Sequence, residues 1–218
     1  MTDESHDTCE TEPAPSRIVD LRGKIPEPTR FSRFHRDWHQ IRGVTMHRTA
    51  CIFGEDVDRW KDLDAHIGVT LGGKVFVLQP LTLGIWHGNG LSPFTIGIEF
   101  EGNPAGFIKP DGSPYYWPQG GGPHPCTDEQ VQAADELFDF LLAEFKAAGV
   151  EWQGLWAHRQ SDKSRESDPG VEVWQKIAKP WQEKLGINSA SQIENMWGTG
   201  QPIPHDWDSQ SKHRFWGG

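Results

Sequence analysis

From residue 127 to 148 the apolar positions recur at steps of three and four: Val131, Ala134, Leu137, Phe138, Leu141, Leu142 and Phe145. That spacing predicts an amphipathic helix with one buried stripe. Thr127-Asp-Glu-Gln130 opens it as a capping box, and Gly149 ends it. Such a helix is scaffold, packed on a sheet. Elsewhere the period drops to two or the apolar runs shorten. Residues 41–47 (Ile-Arg-Gly-Val-Thr-Met-His) and 152–157 (Trp-Gln-Gly-Leu-Trp-Ala) read as strands, each with a histidine at its end. In the strand at 95–102, Ile96, Ile98 and Phe100 alternate with Gly97 and Glu99. This places Glu99 and Glu101 on the face opposite the isoleucines. Two further β-rich runs, 66–73 and 74–79, meet at Gly72-Gly73 and predict a hairpin. Residues 55–63 predict a short helix, and 171–185 a helix broken or kinked at Pro180.

The pattern fades in four places. Residues 1–17 are acidic and rich in Pro, Ser and Thr, the composition of a disordered tail. Residues 18–40 carry few periodic signals, with 31–38 an irregular segment against the core. Residues 103–126 form a long Gly/Pro/aromatic loop, a length that often goes with function. The stretch 187–218 is polar and punctuated by Trp197, Trp207 and Trp216. It is too short for a second domain and is expected to pack on the first or stay partly flexible. The expectation is one domain over 18–186.

Composition narrows the partners. A net charge of −10 argues against nucleic acid or an anionic membrane. Cys9, Cys51 and Cys126 make no disulfide framework and read as reduced thiols. No apolar run approaches the ~20 residues of a membrane span. The acidic N-terminus lacks the regions of a signal peptide, so synthesis in the cytoplasm is expected, with release or delivery to any outside target by other means. A monomer is expected.

The chemistry collects around 158–170. A strand ends in His158, and a loop of small and charged residues returns Asp168 ten positions later. Another strand ends in His47, and a third carries Glu99. Two histidines and one carboxylate are a ligand set for catalytic zinc, with a position left for water. A glutamate outside that set can move a proton. Each residue also has a plainer reading: His47 as a structural histidine, Glu99 as a solvated carboxylate.

The ordered set resembles the zinc-dependent N-acetylmuramoyl-L-alanine amidases, a family that includes phage T7-type lysozymes, AmpD-type enzymes and peptidoglycan recognition proteins. The likeness covers roughly residues 41–185. It rests on Val44-Thr-Met-His47-Arg-Thr-Ala50, His66-Ile-Gly-Val with Gly73-Lys-Val-Phe-Val-Leu-Gln79, Trp86-His87-Gly88-Asn89, Ile96-Gly-Ile-Glu99-Phe-Glu-Gly102, and His158-Arg with Ser167-Asp168-Pro169-Gly170. The resemblance implies an α/β fold with a central mixed β-sheet flanked by α-helices. It implies zinc held by His47, His158 and Asp168, and Glu99 as catalytic carboxylate. It also implies a peptidoglycan or muropeptide substrate cut between N-acetylmuramic acid and L-alanine. His66, His87, Trp86 and Asn89 are weaker candidates for substrate contact. Two positions depart from the family. Where a lysine often stands two residues before the last ligand, this chain has Glu166, with Arg165 and Lys163 as the nearby cations. Where some members carry a tyrosine before His66, it has Ala65. A peptidoglycan-binding module without catalysis and a zinc peptidase cutting elsewhere in the stem peptide are the alternatives. Phage lysin, effector and recycling enzyme all fit the chain.

Overall fold

The computed structural model describes residues 16–27, 34–187 and 199–209. Its strands are β1 Ile18–Asp20, β2 Phe34–His35, β3 Gly43–Arg48, β4 Ile67–Val69, β5 Val75–Val77, β6 Leu83–Gly84, β7 Thr95–Phe100, β8 Phe107–Ile108, β9 Pro114–Tyr115 and β10 Gly154–Ala157. Its α-helical segments are α1 Val57–Trp60, α2 Asp128–Ala147, α3 Val171–Val173 and α4 Lys179–Leu185. Six strands form one mixed sheet in the order β1-β5-β4-β7-β3-β10. Only β4 and β5 pair antiparallel in it. β7, β3 and β10 run parallel side by side, so their carboxyl ends share one edge, where open α/β sheets usually bind ligands.

The helix over 128–147 forms as its stripe predicts. Thr127 accepts from the Gln130 N–H, and the Gln130 side chain accepts from the Thr127 N–H. Gly149 follows at φ +70°. Leu137, Phe138, Leu141 and Phe145 meet Val44 and Met46 of β3 and Ile96, Ile98 and Phe100 of β7 in the main core. Phe138 has no exposed surface, and its ring stands edge-on to Trp152 at 5.4 Å and Trp181 at 5.1 Å. Phe138→Ala is therefore expected to lower unfolding free energy by about 3–5 kcal/mol, read from urea denaturation. A loss below about 1 kcal/mol would mean that the cluster closes over the gap.

The opposite face of the sheet is divided. Trp60, Phe76 and Leu78 cluster towards one side, and Leu91 and Trp156 towards the other. Between them lies a polar strip, because the alternation that sends Val44 and Met46 to α2 sends Thr45 and His47 here. His47 sits beside Glu99 in the register of β3 and β7.

Several expectations need correction in detail. The hairpin forms, with Gly73 at φ +78° in its turn. The helix near 55–63 shrinks to the four residues of α1. Residues 103–126 contain a small hairpin, β8–β9, with Phe107 stacked on Tyr115 at 4.5 Å. Residues 18–20 join the sheet as its edge strand. The helix at 171–185 runs on through Pro180 without a break, and the irregularity expected there takes the form of a π turn. A π-helical segment, Trp174–Ala178, joins α3 to α4, and the Lys179 N–H reaches back to the Trp174 carbonyl. Proline lacks an N–H for the carbonyl four residues earlier, and the wider turn falls just ahead of it. The tail expected over 1–17 lies outside the described residues except at Ser16 and Arg17, as do Trp197 and Trp216. Residues 199–209 lie on the domain, burying Ile203 and Trp207.

Candidate metal centre

His47, His158 and Asp168 are all buried, and one donor atom from each lies within 4.8 Å of the others. His47 Nδ1 is 3.0 Å from His158 Nδ1, which is 3.1 Å from Asp168 Oδ2. Three donors about 2.0–2.2 Å from one tetrahedral ion lie roughly 3.3–3.6 Å apart, so the set fits a zinc ion with slight adjustment. Two imidazole nitrogens and a carboxylate are also the right donor types. Burial holds His47 well below the ordinary histidine range, helped by the neighbouring His158 and His87. The neutral imidazole is the form that binds a metal.

The loop between His158 and Asp168 is fixed from several sides. The Arg48 N–H donates to Asp168 Oδ1 at 3.0 Å, and its guanidinium spans the Pro104 carbonyl and Ser167 Oγ, each at 2.7 Å. Ser161 Oγ donates to the Gly88 carbonyl at 2.8 Å. Gly170, at φ +108°, lets the chain pass where a Cβ would stand 2.8 Å from the Ala105 carbonyl oxygen. Arg159 donates to the Pro202 and Glu166 carbonyls and to Gln201 Oε1, and stacks over Trp207 at 4.9 Å. The segment at 199–207 is thereby tied to the residue next to His158.

Glu99 stands near this cluster. Its Oε2 is enclosed and meets no hydrogen-bond donor among the described residues. Burial pushes its carboxyl well above the usual range, the charge of Asp168 adds to this, and Arg165 opposes it. Glu101, two residues on, is structural. Its carboxylate accepts from the N–H groups of Phe53, Gly54 and Leu71.

The weaker candidates separate. His66 is wholly buried: Nδ1 accepts from the Gly97 N–H at 2.9 Å, and Nε2 lies 2.7 Å from the Leu83 carbonyl. It has no surface to offer a ligand. His87 is also buried, lying 3.0 Å from His47 Nε2. Burial, with Arg36 nearby, pulls it down to about 3. Asn89 donates to Asp162 Oδ2 at 2.7 Å. Trp86 is 38% exposed beside Phe34. Lys163, Arg165 and Glu166 are exposed. The field of Arg165 reaches His47 and Glu99, whereas Glu166 lines a groove of about 450 Å³ with Arg159, Phe107, Ile108, Pro204 and Asp206. Ala65 is buried core. Sequence reasoning gives Arg48 and Arg159 no part of their own. The one available signal is an arginine directly after each of the two converging histidines.

The family model described as N-acetylmuramoyl-L-alanine amidase matches residues 37–171. Wild-type Drosophila PGRP-LB is similar in structure, with TM-score 0.51 and 12% identity, covering 81% of this chain and 99% of that one. Drosophila peptidoglycan recognition protein SD gives TM-score 0.50 and 19% identity, covering 84% and 98%. The ectodomain complex of the recognition proteins LCa and LCx bound to tracheal cytotoxin gives TM-score 0.50 and 18% identity, covering 79% and 99%. At these identities the likeness is one of fold. No curated protein matches the chain. Among the described residues no helix is long and apolar enough to cross a membrane.

Proposed function

Because the chain belongs to the N-acetylmuramoyl-L-alanine amidase family, we propose that it is a zinc-dependent hydrolase. It cuts the amide between N-acetylmuramic acid and L-alanine in peptidoglycan or its soluble fragments. The observation that carries this reading is the convergence of His47 Nδ1, His158 Nδ1 and Asp168 beside a carboxylate with an enclosed, unpartnered oxygen. Zinc held by His47, His158 and Asp168 would supply Lewis acidity towards the amide carbonyl and lower the pKa of water to roughly 7.

The chain's own residues then have defined parts. Glu99 accepts a proton from the attacking water and gives it to the departing α-amine of alanine. One C–O bond forms, the C–N bond breaks, and one water is consumed. Arg165 offsets the negative charge that develops on the carbonyl oxygen, the part expected of lysine at 166. Glu166 instead faces Arg159, whose guanidinium feels its charge. The absence of tyrosine at Ala65 leaves the proton transfer to Glu99.

The test is mass spectrometry of peptidoglycan digested by the zinc-loaded protein. The expected products are stem peptides beginning with a free alanine amine, and glycan stripped of peptide. Cleavage inside the stem would replace the amidase reading with a peptidase. Retention on the cell wall with nothing released would replace it with a binding module.

A further inference from the structure

We propose that His87 is a positioning residue for the metal centre: it fixes the tautomer of His47 so that the Nδ1 lone pair faces the ligand cluster. The inference rests on the zinc reading above. Thr95, His87 and His47 form a chain of three groups. The Thr95 carbonyl can only accept, and His87 Nε2 lies 3.1 Å from it. His87 therefore carries its proton on Nε2. Its Nδ1 is then an acceptor, 3.0 Å from His47 Nε2. The donor for that contact is the His47 Nε2–H. A neutral imidazole has one N–H, so His47 Nδ1 is left bare, at 3.0 Å from His158 Nδ1.

The opposite assignment fails at both ends. A proton on His87 Nδ1 would set a bare Nε2 against the Thr95 carbonyl, lone pair to lone pair. It would also move the His47 proton to Nδ1, into the space the ligands share. The relay thus has one protonation pattern that satisfies every atom, and it is the metal-ready one. Ligand histidines commonly donate their second N–H to a carboxylate or carbonyl. Here a second histidine intervenes and passes the role back to the main chain.

The slot for His87 is cut by a missing side chain. A Cβ on Gly97 would stand 2.5 Å from His87 Cγ. The two rings meet at 90° with centroids 5.1 Å apart. His87 is 7% exposed, so its part is played from inside the protein, behind His47.

Two variants test this. His87→Phe keeps ring volume but has no acceptor for His47. His87→Gln can accept from His47 through its amide oxygen and donate to the Thr95 carbonyl through its amide nitrogen. Zinc affinity, read by competition with a chromophoric chelator, is expected to fall about 10–100-fold in His87→Phe and to recover most of that loss in His87→Gln. Long-range ¹H–¹⁵N NMR of the metal-free full-length protein reads the tautomer itself. The Nε2–H form of His47 is expected in the wild type and in His87→Gln, and a mixture in His87→Phe. Wild-type affinity in His87→Phe, or an Nδ1–H His47 in the wild type, overturns the proposal. A wild type that binds no zinc but shows the Nε2–H form would sink the hydrolase reading and leave the relay standing.

Discussion

Glu99→Gln leaves the zinc in place and removes hydrolysis: a fall in kcat/KM of about 10²–10⁴-fold is expected, with metal content unchanged. Glutamine has nearly the shape of glutamate but cannot hold the travelling proton. The side chain is not one of the three converging donors, so metal binding has no reason to change. Stability supplies an independent arm. Burial raises the folded-state pKa of Glu99. Above the ordinary carboxylate pKa the unfolded chain has released this proton while the folded chain still holds it. The unfolded state then binds fewer protons, so stability falls as pH rises from the ordinary value towards the folded one. Glu99→Gln removes that loss, and the metal-free variant is expected to melt higher than the metal-free wild type at neutral pH. Scanning calorimetry with and without chelator measures both proteins. An inactive variant that has also lost zinc would show Glu99 to be part of the metal site instead.

His158→Ala is expected to abolish both zinc binding and hydrolysis while the fold survives. His158 Nδ1 is the middle donor, within 3.1 Å of both others, so its removal leaves two. The main core lies on the far face of the sheet with α2, and the substitution does not touch it. Zinc bound only by the folded state stabilises it by mass action, about 2.7 kcal/mol at a hundredfold excess over Kd. Adding zinc should therefore raise the melting temperature of the wild type and leave that of His158→Ala unmoved. A variant that still binds one zinc tightly would require a different third ligand.

The chain announced its scaffold clearly where one periodicity ran long enough. The stripe from Val131 to Phe145, with Thr127 and Gln130 at its head, specified α2 to within a residue at each end. The same was true of the face of Glu99, since a strand alternates without exception unless a bulge intervenes. Short pieces were illegible. Ile18–Asp20 and Phe107–Ile108 are too brief to show a period and become strands through their partners, Val75–Val77 and Pro114–Tyr115. Pro180 marked the place of the irregularity and not its form, since a π turn is a response of the backbone with no signature of its own. The three converging donors were readable as candidates because each lies at a strand end or in a marked loop. What surrounds it was not: nothing local says that Arg159 will meet Gln201, or that His87 will reach His47, since these pairings are made by the folded chain.

The pairing of β10 beside β3 also fixes when the centre can exist. His47 and His158 stand 111 positions apart, while His158 and Asp168 are separated by only 10. During synthesis residue 168 must have emerged before the first donor can meet the other two, and closing so long a loop costs about 2 kcal/mol more than closing a ten-residue one. The local pair alone offers a metal two donors in a floppy segment. The full set arrives only with the parallel strand in register, so tight metal capture by this cluster would report a finished sheet. A chain stalled or cleaved before β10 would carry most of the core residues and, of the three converging donors, His47 alone.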